Sequence, residues 1–341
     1  MIDRRNFIKS GAISGIGIYT APSLIESFNA RAGRRVGIIG LDTSHSIAFT
    51  KTLNSSDVGD KYSDYKVVAA YPKGSLDIKS SVDRIEGYTE QVKEMGVEIT
   101  ASLDELIEKV DVILLETNDG RRHLEQALPV LKAGKRMFID KPMAASLADG
   151  IAIFRASEKY GVPVFSASSL RYINGVDQLK SGEKGKVLGA ETYSPASLEE
   201  THPDLFWYGI HGVETLFTVM GTGCKTVTRA FSPGADVVVG IWNDNRIGTF
   251  RGIREGKSGY GGRVYTEKEI VELGQYAGYN PLLEEIVKYF NTGTLPFDSR
   301  ETVEIMAFME AADLSKAKGG KPVSVDKIIE KAEKAAAKKS I

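Results

Sequence analysis

The chain is short of several things that usually settle a protein's class. It has one cysteine, Cys224, in 341 residues, so no internal disulfide can form in any compartment and packing must supply the stability. It has almost no net charge: −1 overall, and −3 once the four basic and two acidic residues of positions 1–32 are set aside. That excludes the basic footprint of a nucleic-acid-binding protein and suits a small neutral substrate. No repeat or low-complexity tract is present, and 26% charged with 42% hydrophobic residues is ordinary for a globular chain. A good membrane span is missing too. The weakly apolar stretch after Lys9 is interrupted by Pro22, Glu26 and several glycines and serines, so no stable membrane anchor is expected.

What is present begins at the N-terminus. Arg4 and Arg5, then Phe7 and Lys9, the weakly apolar residues 11–25, and the small residues Ala30 and Ala32 resemble a twin-arginine export signal. That route carries folded proteins, which suits a periplasmic protein that loads its cofactor before crossing a membrane. Residues 1–32 are therefore read as a signal and left out of the fold. The remaining chain of about 310 residues is comfortable for two domains, each with its own core.

After the signal, short β-branched runs alternate with longer amphipathic ones, the pattern of parallel strands joined by helices. Residues 36–40, 66–70, 111–116, 136–140 and 164–168 read as buried strands. Ser102 and Glu105 form a capping box for a helix through Val110, Gly134 stops a helix over 121–133, and Ser146 caps another ending near Gly161. Beyond about residue 165 longer strand-like runs dominate, at 186–193, 227–231, 237–242 and 246–251, and imply a mixed, largely antiparallel sheet. Helices are expected over 280–290 and 301–316, and the glycine-rich 256–262 reads as a flexible hairpin. The expected architecture is α/β: a doubly wound Rossmann domain over 33–163, a second α/β domain with a mixed, largely antiparallel sheet over 164–326, and a basic, solvated helical tail over 327–341.

The first strand ends in Gly40, followed by Leu41, Asp42, Thr43, Ser44 and His45. Such a strand, turn and helix start presents backbone amides to a pyrophosphate. Only the first glycine of G-x-G-x-x-G is kept; Asp42 holds the second position and must turn away or cap the helix, and His45 holds the third. The acid expected at the end of the second strand is replaced by Tyr71, with Pro72 and Lys73 after it, and Lys73 offers a contact to a 2′-phosphate.

Glu116-Thr117-Asn118 at a strand end, His123 and Ala127 on the next helix, Ala133-Gly134-Lys135 at its close, and Asp140-Lys141-Pro142 after the following strand resemble the Gfo/Idh/MocA family of glucose-fructose oxidoreductase and inositol dehydrogenase. Asp140 stands where members usually carry glutamate. The segment from Gly209 to Glu214 resembles the family's helix start whose histidine enters the substrate cleft, with Trp207 in place of the aspartate many members have four positions earlier. The resemblance implies a bound NAD or NADP held by residues 40–45, Tyr71, Glu116, Thr117, Asn118, His123, Asp140 and Lys141. It implies Lys141 and His211 as the catalytic pair, both tuned towards neutrality. It further implies a carbohydrate pocket lined by Arg171, Tyr172, Trp207, Tyr208 and His211, near a polar and aromatic cluster of Tyr193, His202 and Asp204, and a homo-oligomer. His211 and Glu214 are spaced for shared metal ligation, but no second ligand set supports it, so no metal is expected.

An exported enzyme meets no free nicotinamide pool, so the cofactor is expected to stay bound. The resemblance then implies an NAD(P)-dependent oxidoreductase on a sugar or polyol. It also allows a redox-neutral enzyme that cleaves glycosides by oxidation and elimination, and, given the altered turn, a non-catalytic carbohydrate binder.

Overall fold

Residues 34–56, 59–62 and 64–341 are described by a computed structural model. The export-signal reading lies outside these described residues. Among them, no helix is long and apolar enough to cross a membrane.

Strand β1 (Arg35–Ile39) is buried after its first residue, as a central strand covered on both faces must be. There follow α1 (Ser44–Asn54), β2 (Lys66–Tyr71), α2 (Lys79–Glu94), β3 (Glu98–Ile99), α3 (Leu103–Lys109), β4 (Val112–Leu115), α4 (His123–Lys132), β5 (Arg136–Asp140), α5 (Leu147–Tyr160) and β6 (Val164–Ala167). The six strands are all parallel, in the order β3-β2-β1-β4-β5-β6. The chain reverses direction across the sheet between β1 and β4, and a crevice opens there at the strands' carboxyl ends.

Local chemistry accounts for the boundaries. Ser102 Oγ accepts from the Glu105 amide at 3.1 Å, and Glu105 reaches back to the Ala101 amide at 2.9 Å, one residue before a strict capping box. Ser146 caps α5, and Gly161 ends it at φ 67°. Alternate residues of the central strands feed opposite cores. Ile39, Leu115 and Ile139 join one, while Ile38, Leu114 and Phe138 join the other.

The second half comprises α6 (Val176–Lys180), β7 (Val187–Pro195), α7 (Ile210–Met220), β8 (Cys224–Ser232), β9 (Ala235–Trp242), β10 (Ile247–Ile253), β11 (Gly261–Thr266), β12 (Ile270–Leu273), α8 (Asn280–Thr292), α9 (Ser299–Ala317), β13 (Val323–Ser324) and α10 (Val325–Ala336). Its seven strands run β12-β11-β7-β10-β9-β8-β13. Only β7 and β10 pair in parallel. Helices α7 and α9 cover one face through Phe217, Trp242 and Phe308, whereas Leu188, Ile241, Ile247 and Ile270 stand exposed.

Three details differ from the sequence reading. Helix α8, assigned by sequence to the second domain, sends Leu282, Ile286, Tyr289 and Phe290 into the core of the first sheet, where Tyr289 meets Phe165 edge-on at 5.3 Å. The last helix begins at Val325 and buries Val325, Ile328, Ala332 and Ala336, so one face is packed and only the other is solvated. Gly261 and Gly262, read as part of a flexible hairpin, start β11 and pair with β7, because their missing side chains let Tyr193 and the backbone of Glu191 approach closely.

Helix α7 lies on β7 and β10 at Gly212. Its amide donates to Ser194 Oγ at 3.2 Å, its carbonyl accepts from Thr192 Oγ1 at 2.9 Å, and a Cβ there would sit 2.4 Å from the Phe250 ring. The neighbouring His211 inherits its position from this close approach. Gly212→Ala is expected to cost about 1–3 kcal/mol by overpacking. Urea denaturation checks this, and an unchanged midpoint would show that the contact is not tight.

Candidate active site

The turn after β1 is held by its one glycine. Gly40 has φ 87°, its amide donates to the Tyr71 carbonyl at 2.9 Å, and an added Cβ would lie within 2.6 Å of Thr117 backbone atoms. Asp42 turns away from the helix start, as its position requires. Its buried carboxylate accepts the amides of Ser75 at 2.8 Å and Asn118 at 3.0 Å, tying the turns after β1, β2 and β4 together. Burial pushes its pKa up, and these amides partly offset that. Thr43 caps α1 instead, leaving the first amides of an eleven-residue helix facing the crevice.

Beside this turn, β5 ends in Asp140 and Lys141, both buried. Asp140 Oδ1 lies 3.0 Å from His45 Nδ1, and Oδ2 lies 3.5 Å from Lys141 Nζ. Glu116, at the end of β4, has Oε2 3.8 Å from His45 Nδ1 and no hydrogen-bond partner on either oxygen. Burial, then the nearby Asp140, push the Glu116 carboxyl well above its usual 4.5. Burial alone would lower the Lys141 pKa, yet Asp140 outweighs it with help from Tyr208, Tyr279 and Glu116, and the ammonium is held above 10.5. This corrects the expectation that Lys141 is tuned towards neutrality: at neutral pH it is a cation.

Across the crevice, His211 occupies the first turn of α7. Its Nδ1 lies 2.7 Å from Ser168 Oγ, and its ring meets Tyr208 and Tyr260 at centroid distances of 5.4 and 5.9 Å. Burial, followed by the charge of Lys141, holds its pKa well below 6.5, so this imidazole is neutral. If Nδ1–H donates to Ser168, Nε2 is left with its lone pair.

Lys141 and His211 line one cavity of about 260 Å³ with Thr43, Ser44, His45 and Asn118. Trp207, Tyr208, Tyr260, Tyr276 and Tyr279 form its aromatic wall, and Ser80 and Arg84 extend it along α2. The structure thus brings 8 of the 17 site residues expected from sequence to this cavity, and the others are placed elsewhere for physical causes. Arg171 and Tyr172 do not reach this cavity. The buried Arg171 guanidinium is drawn to Glu214 at 2.9 Å and Glu301 at 2.7 Å, over the Phe297 ring, and both residues line a separate cavity with Lys180 and Glu285. His123 is a strut, its ring set between the carbonyls of Thr117 at 2.6 Å and Met143 at 3.2 Å. Tyr71, Glu116, Thr117 and Asp140 do not line the cavity. Asp204 pairs with Arg229 and Lys316, His202 faces Asp119, and Tyr193 lines a groove on the second sheet. Glu214 bonds Arg171 and the Ser168 amide, not a metal shared with His211.

Sequence reasoning missed Ser168 and the tyrosines 260, 276 and 279. Tyr260 sits in the glycine run set aside as a hairpin, and Tyr279 directly precedes the Asn280-Pro281 start of α8; an aromatic residue beside each loop was the available signal.

Residues 15–168 match the sequence family described as "Oxidoreductase family, NAD-binding Rossmann fold". Fold and crevice define the class, a Rossmann-type nucleotide-binding protein with a second sheet-bearing half. Through that nucleotide-binding half the chain is similar to the Gfo/Idh/MocA family. An uncharacterized oxidoreductase of Streptococcus pneumoniae is 26% identical over 153 residues, 40% of this chain and 41% of that protein. The inositol 2-dehydrogenase of Salmonella typhimurium is 28% identical over 144 residues, 39% and 43% of the two chains. The chain thus spans about two fifths of the length of the curated relatives it matches. Over nearly whole chains the fold is similar to that of solved structures. Myo-inositol 2-dehydrogenase from Lactobacillus plantarum has a TM-score of 0.69 at 15% identity, over 85% of this chain and 98% of that one. Scyllo-inositol dehydrogenase from Lactobacillus casei, solved with NAD(H) and scyllo-inositol, has 0.67 at 14% identity, over 86% and 99%.

Two expectations follow from the geometry. Arg171→Leu leaves Glu214 and Glu301 facing each other without a cation, and should cost about 3–5 kcal/mol in denaturant unfolding; a near-neutral change would contradict the structural role. The neutral His211 makes the unfolded chain bind more protons than the folded one below pH 6.5, so its contribution is full above that value and is lost as pH falls. The slope of stability against pH between about 5 and 6.5 should flatten in His211→Asn. An identical slope would mean that His211 already carries a proton in the fold.

Proposed function

We propose that this chain is an NAD(P)-dependent oxidoreductase that acts on a hydroxyl of a sugar or polyol and keeps its nicotinamide cofactor bound. The observation that carries the reading is a pair of opposite protonation states across one tyrosine-walled cavity: Lys141 held charged, His211 held neutral. The names of the relatives and of the solved structures, inositol dehydrogenases among them, support the substrate class.

The residues present fit a dinucleotide. Gly40 keeps the close backbone approach, the α1 amides face the crevice, and the exposed Arg84 on its border suits an anionic phosphate. Residues 43–45 and Asn118 would hold the diphosphate end, with Lys141 at the reactive end. When bound, the nicotinamide supplies the hydride acceptor. The protein's part is proton management. His211 Nε2 accepts the proton of a substrate hydroxyl, and the Lys141 ammonium donates a hydrogen bond to the same oxygen as negative charge grows there. The aromatic wall stacks on the apolar faces of a sugar ring and helps exclude water.

Two corollaries belong to this reading. The exposed residues Leu188, Ile241, Ile247 and Ile270 of the second sheet suit a contact with another copy of the chain, which light scattering on purified protein tests. The twin-arginine pattern supports export of the enzyme from the cytoplasm, and its recovery only in the cytoplasmic fraction of a native host would contradict that.

The functional test is steady-state oxidation of an inositol and aldose panel. Lys141→Met and His211→Asn should each lower kcat by about 10²–10⁴ with little change in substrate KM. Turnover within threefold of the parent in both would sink the assignment of this pair.

A further inference from the structure

The carboxyl edge of the parallel sheet gathers three side chains that neither take the substrate's proton nor bond its oxygen in the reading above. Neighbouring strands β1, β4 and β5 deliver one each: His45 through the turn after β1, Glu116 at the end of β4, and Asp140 at the end of β5. One donor atom from each lies within 4.8 Å of the others. His45 Nδ1 is 3.0 Å from Asp140 Oδ1 and 3.8 Å from Glu116 Oε2. Bonds of about 2.0–2.2 Å to a common ion put neighbouring ligand atoms about 2.8–3.6 Å apart in octahedral or tetrahedral geometry. Both His45 distances fall within a few tenths of an ångström of that range, and the two carboxylate oxygens are no more than 4.8 Å apart.

Charge points the same way. Glu116 and Asp140 are both fully buried, and the Lys141 ammonium is bound to Asp140. Neither oxygen of Glu116 has a hydrogen-bond partner, and Asp140 Oδ2 has none beyond the longer ion pair with Lys141. A buried carboxylate with no donor is costly, and either a proton or a second cation removes the cost.

We propose that His45, Glu116 and Asp140 form a binding site for a divalent first-row transition-metal ion. One imidazole and two carboxylates suit zinc, manganese or ferrous iron, and the absence of a thiolate disfavours cuprous copper. Lys141, on the other oxygen of Asp140, helps hold that ligand in place. His45 lines the cavity shared by Lys141 and His211, so a coordination position open on that side would take water or a substrate oxygen.

The experiment uses untagged full-length protein, purified without chelator for metal analysis, then stripped with EDTA and titrated separately with Zn²⁺ and Mn²⁺ by calorimetry and thermal unfolding. The expected result is one ion per chain for at least one metal, a raised Tm, and binding weakened about 100-fold or more in both Glu116→Gln and His45→Asn. No saturable binding by the parent protein would overturn the proposal and leave a proton on Glu116. Undiminished binding in both variants would place the ion elsewhere and overturn it equally. The parent titration decides even if a variant fails to fold. None of these readouts depends on hydride transfer, so failure here leaves the oxidoreductase reading standing.

Discussion

The site depends on an ion pair kept out of water at the end of β5. Asp140 and Lys141 are carried there by a strand hydrogen-bonded on both sides, between β4 and β6, and neither can retreat to solvent. In such a place a charge persists only beside its opposite. Asp140 therefore keeps Lys141 protonated, and the resulting cation helps keep His211 neutral across the cavity. One contact thus sets the protonation state of both groups that face a substrate.

The surrounding structure holds this arrangement in place. Asp42 ties three turns of the sheet edge to one another, His123 ties the β4 turn to the loop after Lys141, and Gly212 brings α7 close to the second sheet so that His211 faces the cavity. The Glu214 carboxylate is shared between Arg171 and the Ser168 amide, which fixes the residue that orients His211. Tyr260, Tyr276 and Tyr279 come from the loop before β11 and the segment before α8, so the wall of the cavity forms only when the second sheet has folded.

Much of this was legible in the chain. Strand β5 is legible residue for residue, the start of α3 and both ends of α5 follow from Ser102, Ser146 and Gly161, and local motifs mark Lys141 and His211. Those signals are local, carried by caps, glycines and buried apolar runs. What escaped depends on partners far along the sequence. Arg171 looks like a cleft residue until Glu301, 130 positions later, claims its guanidinium. The amphipathic pattern of α8 shows that one face is buried, not that it packs on the first sheet. Likewise the lysine of a strand-end motif gives no sign of whether burial or a carboxylate controls its pKa.

The central claim is a captive nicotinamide chemistry built around Lys141 and His211. The most direct test is mass and absorbance analysis of the small molecules released when purified protein is denatured, followed by titration of any empty protein with NAD and NADP. The account predicts close to one NAD(H) or NADP(H) per chain. Protein that is empty and binds neither added cofactor would contradict it, and would mark His45 and Asp42 as signs of a dinucleotide site given up for another purpose.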